Sequence, residues 1–119
     1  MHSQETVCQR HPAATNPDIR IMVQGLVSLP QLNNTPIEIQ RGQRIITSDG
    51  LDAGLVAALI FNRQQQTFTH LLLCNLPKTA VYHQIPLTHI TKATPNSLNL
   101  NLHSTQIAQQ PIFDPQNPT

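Results

Sequence analysis

Short apolar runs alternate with polar turn clusters along residues 19–113. The segment SLNLNLH alternates leucine with polar residues, which is the period of two of a strand with one buried face. The clusters between the runs are rich in Pro, Asn, Asp, Gly and Thr, which favour chain reversal. The pattern predicts strands at 19–29, 37–40, 44–47, 55–61, 68–74, 81–90 and 97–103. Turn signals every 8–12 residues or so are typical of a small sandwich or barrel.

Two of these runs, LVAALIF at 55–61 and HLLLC at 70–74, carry apolar residues at consecutive positions. A strand of this kind is buried on both faces, so a neighbouring segment or a partner must cover its outside. Ala and Leu also favour helix at 51–61, but the run is short and lacks the 3.6-residue period. We therefore predict an all-β fold, a small antiparallel β-barrel of about six strands.

Helix is predicted only near the C-terminus, as one turn at most within HSTQIAQQPIF. Ser104 is a suitable N-cap, and Pro111 must end the turn because proline lacks the amide hydrogen. Gly25, within the first apolar run, is the position at which we expect a bulge or bend.

The domain boundaries follow from composition. Residues 1–18 form a polar leader without periodicity, 19–113 a single domain, and 114–119 a proline-rich tail. The leader lacks the basic start and apolar run of a signal peptide, and no stretch approaches the ~20 apolar residues that span a bilayer. We therefore expect no transmembrane segment and a cytoplasmic protein.

The two cysteines lie far apart in the sequence, Cys8 in the leader and Cys74 at the end of an apolar run. We expect a flexible thiol at Cys8 and a buried, inert thiol at Cys74, with a disulfide as the alternative.

Charge is sparse, with seven Lys and Arg against six Asp and Glu. Basic residues are spread out and aromatic residues are few, whereas nucleic-acid grooves combine clustered basic residues with stacking aromatics. We expect no nucleic-acid partner.

The stretch SDGLDAGL at 48–55 is the best candidate for a ligand loop, and we interpret it as a structural turn. Gly50 supplies the positive φ of a tight turn, Asp49 can bond the turn's own backbone, and Gly54 marks a bulge or close backbone approach. A dinucleotide loop needs three glycines and a following helix, and a Ca²⁺ loop needs a terminal Glu, which the segment lacks.

Other candidate chemistry is weak. Of the six histidines, His83 and His89 would be ~20 Å apart on one strand, too far to share a metal. Cys74, His70 and Asp49 are the residue types of a nucleophilic site, but nothing in the sequence brings them together. We predict no catalytic, metal or cofactor-binding residue, and therefore no enzyme.

The order of motifs over residues 41–114 resembles the PRC-barrel family. The matching pieces are the Asp49-Gly50 turn with Gly54 and Val56, the strand at 70–73, then Tyr82, Ile85, Pro86, Leu87 and Ile90, the alternating leucines, and finally Pro111 and Phe113. The sequence departs from the family in the turn after Asp49-Gly50, where the family usually has a charged residue near the second glycine and this chain has Leu51-Asp52-Ala53, and in the strongly apolar 55–61.

The resemblance implies a barrel with structural positions at Asp49, Gly50, Gly54 and Pro86, and a role in protein interaction. PRC-barrels occur in the cytoplasmic cap of photosynthetic reaction centres, in a ribosome-maturation factor and as stand-alone proteins. We expect a noncatalytic adaptor that binds an unidentified protein, self-associates as a homodimer, or docks on a larger membrane or photosynthetic complex. Surplus apolar strand sequence suggests Leu55 and Leu59 as interface residues. The alternative is a small-ligand-binding protein or an enzyme, and a ribosome-maturation role fits less well.

Overall fold

The structure is a computed structural model that describes residues 17–75 and 81–113. The fold is mainly β, as predicted. The strands are β1 (Ile19–Met22), β2 (Gln24–Ser28), β3 (Pro36–Gln40), β4 (Arg44–Ile46), β5 (Asp52–Asn62), β6 (Thr67–Cys74), β7 (Tyr82–Pro86), β8 (Ile90–Ala93) and β9 (Ser97–Leu100). Two 3-10 turns, Pro30–Leu32 and Leu87–His89, and one short helix, α1 (Ser104–Ile107), complete the described elements.

The main sheet has the order β7-β6-β5-β4-β9-β8, and β1 also pairs with β5. The β4–β9 pair is parallel, and the other pairs are antiparallel. Strands β2 and β3 form a separate antiparallel hairpin. The hydrogen-bonded order of the described strands ends at β7 and β8, so the sheets are not closed into a barrel.

Strand β5 organises the sheet because its 11 residues pair on both edges. Its first residues pair with β4 and its last with β1 on one edge, while β6 runs along the other. The apolar run at 55–61 is therefore strand, and the helical alternative is excluded.

Three local expectations need correction. The segment 81–90 is not one strand: Pro86 ends β7 and begins a 3-10 turn, after which β8 starts in another part of the sheet. The segment 19–29 is divided at Val23, since β1 and β2 belong to different sheets. Gly25 lies in regular pairing with Ile39, and a Cβ there would come within 2.4 Å of the Phe68 ring, so close packing rather than a bulge explains the glycine.

One interior cluster joins the hairpin to the main sheet. Its members are buried side chains from eight strands, the second 3-10 turn and α1, among them Val27, Ile39, Ile45, Val56, Leu59, Leu71, Leu73, Ile85, Leu98 and Leu100. Burial of this apolar surface is the main force that holds the hairpin against the sheet.

A second cluster lies on the other side of β5, β6 and β7, which we call the outer face. It contains Ala57, Ala58, Ile60, Leu72, Cys74, Tyr82 and Phe113. Leu72 lies between Leu71 and Leu73, whose side chains belong to the interior cluster, so alternation places Leu72 on the opposite side. Both faces of β5 and β6 are buried, as their unbroken apolar runs predict.

Cys74 is fully buried on this outer face, as expected, but it is disulfide-bonded rather than a thiol. No helix among the described residues has the length and apolar character needed to cross a membrane.

Candidate functional site

The Asp49-Gly50 turn between β4 and β5 is closed by its own hydrogen bonds. The Gly50 amide donates to the Thr47 carbonyl at 3.0 Å, and Gly50 has a φ of 83°. The Thr47 hydroxyl donates to Asp49 Oδ1 at 2.6 Å. The turn therefore uses Gly50 for its backbone conformation and Asp49 as an internal acceptor.

Asp49 also joins the turn to the start of α1, 55 residues later in the chain. Its Oδ1 accepts from the Ser104 amide at 3.0 Å and its Oδ2 from the Ser104 hydroxyl at 2.8 Å. The hydrogen bonds from the Thr47 and Ser104 side chains lower the pKa of Asp49 to about 2. A carboxylate held by several donors strongly prefers its charged form.

Asp49, His103 and Ser104 have the residue types of a catalytic triad and lie close together, but their hydrogen bonds are those of a helix cap. His103, rather than Ser104, is the N-cap residue: its Nδ1 accepts from the Thr105 amide at 3.3 Å, and its amide donates to Gln106 Oε1 at 2.7 Å. Its Nε2 lies 3.4 Å from Asp49 Oδ2. The Ser104 hydroxyl bonds directly to Asp49, whereas a nucleophilic serine needs an imidazole as its base. The arrangement anchors α1 on the turn.

Gly54 lies where β5 bulges. Ile45 pairs with Gly54 and Ile46 with Asp52, which leaves Ala53 as the extra residue. Gly54 has a φ of 138°, and a Cβ would come within 2.3 Å of the Cys74 carbonyl oxygen. Glycine is needed here both for the backbone conformation and for the approach of the end of β6.

The two suggested interface residues on β5 differ. Leu59 is 0% exposed and belongs to the interior cluster, so it offers no surface to a partner. Leu55 is partly exposed and pairs with Arg44 and Cys74 in the sheet. The interface prediction therefore does not hold for Leu59, because both faces of β5 are already covered.

A groove of about 580 Å³ lies between the hairpin and the turn that joins β5 to β6. Leu26 on β2 is 67% exposed at its edge. Phe61 and Phe68 pack edge to face in its wall, with ring centroids 5.1 Å apart. None of its lining residues is charged; the apolar ones are Leu26, Val27, Leu29, Pro30, Phe61, Phe68 and Leu87. We call this site the hairpin groove.

Two glutamine side chains hold the hairpin and the adjoining turn in place. Gln43, 3% exposed, accepts from the Gln40 amide and donates to the carbonyls of Glu38 and Thr94. Gln31 donates to the carbonyls of Leu87 and Ile90, at 3.0 and 3.1 Å. The groove therefore has walls fixed by hydrogen bonds as well as by packing.

The histidines among the described residues lie in different places, and each has its own hydrogen-bond partner. His83 Nδ1 bonds the Gln110 carbonyl at 3.0 Å, and His89 Nδ1 bonds Asn101 Oδ1 at 2.8 Å. His70 lies on β6 beside Ile60, and burial lowers its pKa. Within 17–75 and 81–113, no three His, Cys, Asp or Glu side chains cluster as a metal site would require.

The predicted turn residues are thus distributed over several places. Asp49 and Gly50 form the anchor of α1, Gly54 the β5 bulge, and Pro86 the end of β7. The hairpin groove was missed by the sequence reasoning, although one signal existed. Leu26 lies between Gly25 and Val27, which face inward, so alternation places it on the outside of β2.

The chain matches no protein-family model, and no curated protein is significantly similar to it.

Proposed function

We propose that the protein is a noncatalytic interaction module whose contact surface is the hairpin groove. The observation that carries the proposal is an uncharged groove of about 580 Å³ with Leu26, 67% exposed, at its edge. A large exposed apolar side chain beside an apolar concavity is typical of a surface that another molecule covers. The partner chemistry that fits is a protein segment that presents apolar side chains.

The composition of the groove supports a protein partner over charged ligands. Its polar lining groups are the uncharged residues Ser28, Gln66, Thr67, Thr69 and Thr88. Phosphate-rich ligands require basic groups, which this lining lacks. The aromatic rings pack against each other, whereas single-strand binding needs rings that are open to stacking.

A noncatalytic role is supported by the use of the polar residues. The start of α1 is capped by His103, and Ser104 binds Asp49 there. Asp49, with a pKa of about 2, is too weak a base to activate a nucleophile near neutral pH. An enzyme or small-ligand binder remains the alternative, and the groove would then hold a small apolar molecule.

The PRC-like barrel belongs to the same proposal. One interior cluster shared by the hairpin and the main sheet is what an opened form of such a barrel would have. The partner would then be a second copy of the chain or a larger complex, including a membrane or photosynthetic complex, and the protein would work in the cytoplasm.

The proposal is tested by capture from native lysate with tagged full-length protein, cross-linked and identified by mass spectrometry. Leu26→Asp places a charge at the groove, and Leu51→Asp is the matched control, since Leu51 is 54% exposed and lies outside the groove. We expect one stoichiometric partner with the wild type and with Leu51→Asp, and about tenfold less with Leu26→Asp.

Equal thermal midpoints of the two variants would establish that both are folded. Equal capture by folded Leu26→Asp would overturn the groove as the contact surface. Recovery of untagged copies of the chain would identify the partner as a second copy.

A further inference from the structure

The two edges of the hairpin formed by β2 and β3 differ in their backbone hydrogen bonds. At the start of β2, the Arg41 amide donates to the Val23 carbonyl at 2.9 Å, so this pair is bonded across the hairpin. Bonded and non-bonded pairs alternate along an antiparallel ladder. In the observed register, Gln24, Leu26 and Ser28 therefore direct their amides and carbonyls away from β3, to the outer edge of β2.

The outer edge of β3 is occupied by Gln43. The Gln40 amide donates to Gln43 Oε1 at 2.8 Å, and the Gln43 amide donates to the Gln40 carbonyl at 3.3 Å. Gln43 Nε2 donates to the Glu38 carbonyl at 3.3 Å. Pro36, the first residue of β3, has no amide hydrogen to offer. This edge of the hairpin is therefore closed to a further strand.

The outer edge of β2 is open. Within residues 17–75 and 81–113, β3 is the strand that pairs with β2, and no side chain bonds the backbone of Gln24, Leu26 or Ser28. All three residues are exposed. Edge strands are commonly protected by proline or by charged side chains, and β2, with the sequence QGLVS, has neither. Such an edge is a template for the pairing of another strand.

The open edge adjoins the hairpin groove. Leu26 and Ser28 belong both to the edge and to the groove lining, and Phe61, Phe68 and Leu87 provide apolar surface beyond them. Successive side chains of a strand point to opposite faces. An extended chain along β2 would therefore present every second side chain to the groove, whose uncharged lining favours apolar groups there.

We propose that the occupant of the hairpin groove is an extended segment of another protein that pairs with the open edge of β2 as an added strand. Its backbone bonds Gln24, Leu26 and Ser28, and its alternate apolar side chains lie in the groove. Strand addition takes affinity from the main chain and specificity from pockets for alternate side chains. The inference rests on the proposed function and adds the way in which the partner is recognised.

The test uses purified full-length protein labelled with nitrogen-15 and a short peptide in which valine alternates with threonine between terminal lysines. Hydrogen exchange is followed by NMR for each amide. With the peptide at roughly ten times its Kd, exchange at Gln24, Leu26 and Ser28 should slow about tenfold, because it then proceeds from the unbound fraction. The amides of Gly25 and Val27, which face β3, should change less.

A pair of variants at position 24 separates the backbone from the side chain. Gln24→Pro removes one outward amide hydrogen at a residue outside the groove lining, whereas Gln24→Ala keeps it. We expect Gln24→Pro to bind the peptide about tenfold more weakly and Gln24→Ala to bind it like the wild type. If Gln24→Pro fails to fold, the exchange pattern of the wild type still decides.

The outcomes distinguish this inference from the proposed function. Chemical shifts that change at Thr67–Thr69 without slower exchange at the three edge amides would overturn strand addition and leave the groove as the contact surface. Absence of peptide binding, or equal binding by both variants, would also overturn strand addition. Slow exchange at the edge that depends on protein concentration without peptide would show that a second copy occupies it instead. Capture with Leu26→Asp tests the groove itself.

Discussion

At the scale of single residues, Asp49 shows how one side chain in a turn can organise a distant element. Its carboxylate accepts hydrogen bonds from the Thr47 hydroxyl and from both the amide and the hydroxyl of Ser104. Because these donors favour the charged form, folding at neutral pH gains stability from the ionised carboxylate.

The contribution of Asp49 should therefore depend on pH. Its pKa is lowered from 3.8 to about 2, so its contribution is complete above about pH 4 and is lost as the pH falls through 2. We expect Asp49→Asn to have a lower thermal midpoint than the wild type at pH 6, with the difference vanishing towards pH 2. Midpoints measured by circular dichroism between pH 2 and 6 check this, and a difference that stays constant over that range would contradict it.

At the scale of elements, the entry of β5 depends on its contact with the end of β6. Gly54 has a φ of 138°. A Cβ at this position would lie 2.3 Å from the backbone carbonyl oxygen of Cys74. A rigid backbone group leaves a methyl no room, unlike the flexible end of a side chain.

Gly54→Ala should consequently destabilise the protein more than an equivalent change in the neighbouring turn. We expect a loss of about 2–5 kcal/mol in the free energy of unfolding, from backbone strain and overpacking together. Gly50→Ala is the control, since Gly50 also has a positive φ but open space around its Cβ position, and should cost about 1 kcal/mol. Urea denaturation measures the free energy of unfolding of both variants. Equal losses would show that the contact with Cys74 does not contribute to the effect.

The strands themselves could be predicted because their apolar periodicity is local to each segment. The continuous runs at 55–61 and 68–74 correspond to β5 and β6, whereas the alternating leucines of 97–103 form a strand only as far as Leu100, where β9 ends. The pairing of the strands depends on distant contacts, so the open order of the main sheet and the parallel β4–β9 pair could not be predicted locally. The hairpin groove likewise forms only when β2 approaches the Phe61–Phe68 pair.

The interpretation of Leu59 failed for a related reason. Counting apolar residues in β5 suggested that some of them face solvent, but the strand is buried on both sides. The sequence did indicate a covering layer, although it could not say whether a partner or the chain itself provides it. The anchor of α1 was missed because Asp49 and Ser104 are 55 residues apart.

At the scale of the whole molecule, the two apolar regions, the outer face and the hairpin groove, differ in their exposure to solvent. The outer face is fully buried at Ala58, Leu72 and Cys74, while the hairpin groove leaves Leu26 exposed. The second region is the one that we propose another molecule covers.

The central claim, that the hairpin groove is the contact surface, is tested most directly by a photoreactive benzoylphenylalanine at position 26. Irradiation in native lysate should give one discrete adduct from position 26 and none from position 51, which has a similar exposure outside the groove. Adducts from neither position, or the same adduct from both, would contradict the claim that the groove binds a specific partner.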